Sequence, residues 1–127
     1  MSVDIERIIG FTVKLKEDLS HNDFEFFENV EEKHKEFAYG GENSQFNMKS
    51  NAVALVVDGM NGNYARLVYV ENVKRVYDAY DEEPYTLLRP IEIPEDIYNE
   101  LNIAYQKIYD IPLDKKLIEY ALWYHWS

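Results

Sequence analysis

The amino-acid sequence predicts an α+β fold, in which an antiparallel sheet is built on a central β-hairpin or meander. One helix is expected after the first strand, and two C-terminal helices are expected to pack on one face or end of the sheet. Three patterns predict this fold: early alternation of apolar and polar residues, two valine-rich runs around Asn61-Gly62, and apolar residues at helical spacing after Pro94. A chain of 127 residues, 46% of them hydrophobic, fits one α+β domain, which we expect to span residues 1–127.

The first predicted strand lies within residues 5–16, whose second half alternates apolar and polar side chains. Such alternation is typical of a strand with one buried face. A helix is predicted next, because Ser20 to Asp23 offer capping residues and apolar residues follow near helical spacing. Acids in its first turns suit the helix dipole, and Gly40-Gly41 is expected to end it.

The clearest local signal is a β-hairpin within residues 52–70. Valine-rich runs flank Asn61-Gly62, a dipeptide that readily adopts the positive φ angles of a tight turn. A third strand is predicted at residues 73–80, because Asn72 can turn the chain. Pro84 ends that run, and a further extended segment follows it.

Two helices are predicted in the C-terminal third of the chain. Pro94 suits the first turn of a helix, and apolar residues then recur every three or four positions until Pro112 ends the pattern. The aromatic-rich residues 113–126 are predicted to form the second helix. Because its aromatic residues lie almost all around the helix, we expect it either to dock on the core or to form an oligomer interface.

The formal net charge of −11 is concentrated in two segments. Residues 17–37 contain eight acids and two bases, and residues 76–100 contain eight acids and one base, whereas the rest of the chain is nearly balanced. An acidic surface disfavours nonspecific binding to nucleic acid or to an anionic membrane, because phosphate groups are repelled. The separation of the charge into two segments favours a role beyond solubility.

The composition also bears on the cellular compartment. The chain has no cysteine, which excludes disulfides and thiolate zinc sites and permits a reducing environment. Its first residues carry acids and no continuous apolar run, so a secretory signal is not expected, and no stretch is apolar enough for a membrane span. We therefore expect a cytoplasmic protein.

No residue pattern specifies a catalytic or metal site. The histidines His21, His34 and His125 lack the i, i+4 spacing of a zinc-binding pair. The serines have no recognisable catalytic partner, and the glycines form no phosphate-binding cradle. A calcium loop starting at Asp78 fails, because a tyrosine and a glutamate occupy the third and sixth positions. We expect no cofactor and no catalysis, with a small carboxylate-metal enzyme as an alternative.

The segment Val76–Tyr85, VYDAYDEEPY, combines three tyrosines with four acids and no base. Carboxylates can pair with arginine and lysine of a partner, while tyrosines add contact area and stack on guanidinium groups. Solvated acids beside half-buried sheet tyrosines are the competing interpretation. The predicted partner-binding residues of the two acidic segments are Tyr77, Asp78, Tyr80, Asp81, Glu82, Glu83, Tyr85, Asp23, Glu25, Glu28, Glu31 and Glu32.

The sequence therefore favours a non-enzymatic acidic binding or inhibitor protein that engages a basic protein. Nucleic-acid-handling enzymes are the expected partners, since their binding grooves are basic. Immunity proteins and phage-encoded inhibitors of host defence enzymes, some of which mimic nucleic acid, share this size and charge. A further alternative is an accessory subunit that forms a homodimer through its aromatic C-terminal helix.

Overall fold

The computed structural model describes residues 5–37, 52–59, 64–77, 82–88 and 92–126. The helices and strands in these ranges are β1 (Ile5–Glu17), α1 (His21–Lys33), β2 (Ala52–Asp58), β3 (Tyr64–Val76), β4 (Tyr85–Leu87), α2 (Glu95–Tyr109) and β5 (Ile118–Trp126). Short 3₁₀ turns occupy Lys35–Phe37 and Lys115–Leu117. The five strands form an antiparallel sheet in the order β2-β3-β1-β5-β4, which confirms the α+β class.

The predicted first strand and the predicted hairpin pairing are confirmed. The long strand β1 lies in the middle of the sheet, between β3 and β5. Strands β2 and β3 pair from Ala52 opposite Val70 to Asp58 opposite Tyr64. The predicted turn residues Asn61-Gly62 lie outside the described residues.

The prediction of a separate strand at residues 73–80 is wrong. Strand β3 continues without interruption to Val76, and Asn72 lies within it, opposite Ile9 of β1. The chain therefore does not turn at Asn72. The two long strands β1 and β3 pair from Ile5 opposite Val76 to Glu17 opposite Tyr64, so β3 continues past Asn72 beside β1.

A β-bulge replaces the expected turn. Gly10 pairs with Val70, whereas the preceding residue of β1 pairs with Asn72, so Glu71 is an extra residue on β3. The backbones approach closely at this point, and a β-carbon on Gly10 would overlap the carbonyl oxygen of Tyr69. Glycine is thus required in β1 for the bulge that displays Glu71.

The prediction of a second C-terminal helix is also wrong, because the aromatic run forms the strand β5. It pairs with β1, Tyr120 opposite Phe11, and with β4, Trp123 opposite Tyr85. Alternate residues of β5 are fully buried and those between them are half-buried, so both of its faces are covered. Aromatic residues suit such a strand. The homodimer that was expected to use a C-terminal helix has no such helix in this fold.

Helix α1 begins at the predicted capping residues. The Ser20 hydroxyl accepts a hydrogen bond from the Asp23 amide at 3.2 Å, and the Asp23 carboxylate accepts one from the Ser20 amide at 2.8 Å. This reciprocal pair is a capping box. The helix ends at Lys33, earlier than predicted, and Gly40-Gly41 lies outside the described residues.

Helix α2 agrees with its prediction. Pro94 directly precedes its first residue, and the helix buries Ile97, Leu101 and Ala104. It ends at Asp110, which adopts a left-handed conformation with φ of 60°. Among the described residues, neither helix is long and apolar enough to cross a membrane.

Hydrophobic clusters cover both faces of the sheet. On one face, α1 and α2 pack against alternate residues of β1, β2 and β3, including Phe11, Leu55 and Leu67. On the other face, buried residues such as Val68 and Trp123 form a second cluster that contains no helix residue. We call these the helical face and the second face.

Candidate protein-binding face

Tyrosines and acids meet on the helical face, beside the start of α2. Tyr69 of β3 and Tyr120 of β5 both lie opposite Phe11 of β1, one on each side, so their side chains share this face. The bulge adds Glu71, and the first two turns of α2 add two more acids. We call this set the acidic tyrosine face; its members are Tyr69, Glu71, Asp96, Glu100 and Tyr120.

Burial and the surrounding acids raise the pKa values of the two tyrosines. Partial burial raises the pKa of Tyr69, and so do the nearby carboxylates of Glu100, Asp96 and Glu71. A hydrogen bond to Glu71, together with partial burial, raises the pKa of Tyr120 to about 12. Both phenols are therefore protonated at neutral pH and can donate hydrogen bonds, and the carboxylates give the face a negative potential.

A groove continues this face toward the edge of the sheet. Val53 of β2 lies opposite Tyr69, and Glu100 lines the groove as well as the acidic tyrosine face. The cavity measures about 290 Å³, and the Ile103 side chain beside it is 56% exposed. We call this the edge groove; it is lined by Glu36, Phe37, Val53, Glu100, Ile103 and Lys107.

The edge groove brings together acids from the two acidic segments. Glu36 belongs to residues 17–37 and Glu100 to residues 76–100. Lys107 binds Glu36, with Nζ 3.3 Å from Oε1, and its ammonium lies 5.4 Å from the centre of the Phe37 ring. One carboxylate of the groove is therefore paired, and no salt bridge of Glu100 is present within the described part of the chain.

The predicted acids of α1 have different surroundings. Asp23 is part of the capping box and also accepts a hydrogen bond from Lys16 at 2.8 Å. Glu25, Glu28 and Glu32 are exposed. Glu31 is half-buried; burial and the neighbouring charge of Glu28 raise its pKa to about 7.

The predicted residues after β3 are described in part. Tyr77 is 88% exposed, and Glu82 and Glu83 are exposed. Tyr85 is half-buried, and its hydroxyl donates a hydrogen bond to Glu119 at 2.9 Å. The other predicted residues of this segment, Asp78, Tyr80 and Asp81, lie outside the described residues.

The second face buries polar groups that the sequence patterns did not indicate. Oδ2 of Asp58 accepts hydrogen bonds from the Tyr64 hydroxyl at 3.0 Å and from the Trp126 amide at 3.2 Å. Nδ1 of His125 lies 3.2 Å from the same oxygen. Asp58 is 1% exposed and His125 5% exposed, so neither can reach a substrate in this conformation. Their arrangement links β2 to β5.

Arg66 occupies an aromatic enclosure on the same face. Its guanidinium carbon lies 4.0 Å from the centre of the Tyr64 ring, 4.3 Å from that of Tyr85 and 5.5 Å from that of Trp123. Lys14 lies 4.7 Å from the Tyr85 ring centre. Such cation–π contacts stabilise a buried cation. The ring of Tyr85 is thus already in contact with cations of its own chain.

The second face offers no metal site within the part of the chain that the structure describes. No group of three or more histidine, aspartate or glutamate side chains there could hold an ion. Glu6, the remaining buried carboxylate, lies opposite His125 on one side and opposite Arg75 on the other. A cross-strand pair of opposite charge, such as Glu6 and Arg75, commonly stabilises a sheet.

The sequence patterns did not indicate Tyr69, Glu71 and Tyr120. Glu71 follows an apolar run and precedes Asn72 in the same strand, and two consecutive polar residues there are the signal that could have indicated a bulge. Tyr120 was assigned to a helix, which concealed its position beside Phe11. The chain matches no protein-family model, no curated protein and no solved structure with which it was compared.

Proposed function

We propose that this chain is a non-enzymatic binding or inhibitor protein that engages a basic protein through the acidic tyrosine face and the edge groove. One observation carries the proposal: Glu71, Asp96 and Glu100 lie around the half-buried Tyr69, beside a groove that Glu36 of the other acidic segment also lines. A charge that served only solubility would not require this convergence.

The physical chemistry of the face supports a basic partner. Carboxylates at the rim attract lysine and arginine and increase the rate of association, most strongly at low salt. Half-buried tyrosines supply contact area at little entropic cost and can stack on guanidinium groups. Proteins that handle nucleic acid have basic grooves, so we propose such an enzyme as the partner, which this face would engage in place of nucleic acid.

Tyr77 is exposed, and we propose that it forms a second contact region for the partner together with the acids that follow it. Its acids, from Asp78 to Glu83, carry four of the eight negative charges of residues 76–100. We further propose that the protein acts in the cytoplasm, since a chain without cysteine has no need of an oxidising compartment.

The experiment compares two variants with equal changes of charge. Glu71, Asp96 and Glu100 are all replaced by lysine in the first, and Glu25, Glu28 and Glu32 are all replaced by lysine in the second. The partner is captured from cell extract on the immobilised wild-type chain at low salt and released at high salt. We expect the first variant to associate with the released partner about tenfold more slowly than the second.

A tyrosine variant distinguishes the effect of direct side-chain contact with the partner from the effect of electrostatic attraction. Tyr69→Ala should speed dissociation of the captured partner, because a central aromatic contact mainly governs the dissociation rate. Circular dichroism checks that each variant is folded. Equal slowing in both triple variants would show that the α1 acids, which the sequence also predicts to bind the partner, contribute as much as the proposed face or that only total charge matters. Either that result or unchanged association in the first variant would overturn the proposed face.

A further inference from the structure

Strand β2 lies at the edge of the sheet. In the order β2-β3-β1-β5-β4 it pairs with β3, and the described residues place no strand on its other side. In an antiparallel sheet, alternate residues of an edge strand direct their N–H and C=O groups away from the neighbouring strand. Those groups are a template for a further strand.

The sequence of β2 lacks the features that usually protect an edge. Residues 52–57 read AVALVV, with no charge, no proline and no bulge in the pairing with β3. Proteins commonly place lysine, proline or a bulge on an edge strand to prevent pairing with other chains. The charged residue Asp58 lies at the end of the strand, and its carboxylate is engaged on the second face.

The edge groove lies beside this edge and indicates what a further strand would carry. Val53 of β2 lines the groove together with Phe37 and Ile103, so its floor is apolar. Glu100 provides a carboxylate at its rim, whereas Glu36 is paired with Lys107 of the same groove. An extended segment with apolar side chains at every second position could fill the groove, and a lysine or arginine at one of these same-face positions could meet Glu100.

We propose that a basic partner adds an extended segment to the edge of β2 that the described residues leave without a neighbouring strand, with alternate apolar side chains in the edge groove. This inference rests on the proposed function and names its binding mode. Main-chain hydrogen bonds along β2 provide affinity, the groove selects apolar side chains, and Glu100 selects a positive charge. A second acidic copy of this chain fits the same edge less well, because like charges repel.

The probe is a blocked heptapeptide with threonine at its odd positions and valine, lysine and valine at its even positions, so that the lysine shares one face with the valines. Two isomers carry N-methyl groups, one on its first three threonines and the other on its valines and lysine. A strand that pairs with β2 directs only one of these two sets of N–H groups toward it. We expect one isomer to bind at least tenfold more weakly than the other, and the unmethylated peptide to slow amide hydrogen exchange in residues 52–58.

A matched pair of variants examines the groove. Ile103→Ser should weaken peptide binding about fivefold, because Ile103 lines the groove. Ile111→Ser should leave it unchanged, since Ile111 is equally exposed, 54% against 56%, and does not line the groove. A peptide with glutamate in place of lysine should not bind measurably.

Three results would overturn the inference. Slow exchange at alternate amides of β2 in the free protein would show that its own chain covers the edge, and a dimer in sedimentation would make a second copy the occupant. Equal binding of both N-methylated isomers would show simple charge attraction. That last result leaves the proposed function intact, whereas unchanged association of the Glu71, Asp96 and Glu100 variant would overturn the function itself.

Discussion

Individual carboxylates on α1 have opposite roles although the sequence presents them as one acidic run. Hydrogen bonds from Lys16 and Ser20 lower the pKa of Asp23 to about 2, so its charge stabilises the start of the helix. Burial and the charge of Glu28 raise the pKa of Glu31 to about 7. The difference arises from partners and solvent access, which residue type alone does not determine.

Replacing Glu31 by glutamine should stabilise the protein at alkaline pH. Its pKa rises from 4.5 to about 7 on folding, so the ionised form disfavours the folded state. The folded state loses stability from this group as the pH rises from about 4.5 to 7, and the full penalty is present above pH 7. Glu31→Gln should therefore increase the free energy of unfolding at pH 8 by on the order of 1 kcal/mol, after allowance for solvent screening.

Urea denaturation at pH 5 and pH 8 measures this difference. The control is Glu32→Gln, because Glu32 is exposed on the same helix and should change stability little at either pH. The gain of Glu31→Gln over this control should shrink at pH 5, where Glu31 is already protonated in the folded state. A gain of equal size at both pH values would contradict the proposed cause.

At the scale of elements, short sequence patterns correctly predicted the features that depend on residues close together in the chain. The capping box of α1, the pairing of β2 with β3 and the apolar face of α2 follow from short-range signals that the structure confirms. The two errors concern long-range pairing: β3 continues past Asn72 because β1 pairs with it, and the aromatic residues 118–126 become β5 because β1 and β4 lie beside them. Spacing alone cannot reveal such partners.

For the candidate site, the sequence predicted the residue types, tyrosines among acids, but not which residues come together. Tyrosines among acids were expected in residues 76–100, and the structure adds Tyr69 and Tyr120 from outside that segment. Tyr69 and Tyr120 are 51 positions apart and meet because both strands pair with β1. A single sequence contains no signal for that convergence.

Asp58 connects two strands that are not neighbours in the sheet. Strands β3 and β1 lie between β2 and β5, so the axes of β2 and β5 would be roughly 14 Å apart in a flat sheet. Asp58 pairs with Tyr64, which lies at the Glu17 end of β1, whereas Trp126 lies opposite Ile5 at the other end. Yet the Asp58 carboxylate accepts a hydrogen bond from the Trp126 amide at 3.2 Å. The sheet must therefore curl around its second face, and this hydrogen bond joins β2 to β5 there.

Asp58→Ala should destabilise the fold by about 3 kcal/mol, because it removes a buried acceptor shared by several donors. Tyr64→Phe removes one of those donors and should cost about 1 kcal/mol. In the double variant the two losses should not add, since both act on the same hydrogen bond. Thermal and urea unfolding of the four proteins measure this coupling, and fully additive losses would show that Asp58 does not bind Tyr64 in solution.

At the scale of the whole molecule, the net charge of −11 has a cost in stability as well as a use in binding. Burial is the main cause of the raised pKa of Glu31, and the neighbouring charge of Glu28 adds to it, which is a local sign of repulsion between carboxylates. A surface that attracts a basic partner must keep such charges together, and a bound cation would relieve their mutual repulsion. The free protein should therefore be less stable than the same fold with these charges neutralised.

The melting temperature of the free protein should rise by about 5 °C between 10 and 200 mM sodium chloride, because the screening length falls from roughly 30 Å to below 8 Å.

Two variants of the exposed α1 acids test this cause. Replacing Glu25, Glu28 and Glu32 by glutamine changes the formal net charge of the protein from −11 to −8, and replacing all three by lysine changes it to −5. Since these three side chains are exposed, their replacement should leave the core intact. The rise with salt should decrease in the order wild type, glutamine variant, lysine variant. An equal rise in all three proteins would mean that salt acts through general solvent effects rather than through the repulsion of these carboxylates.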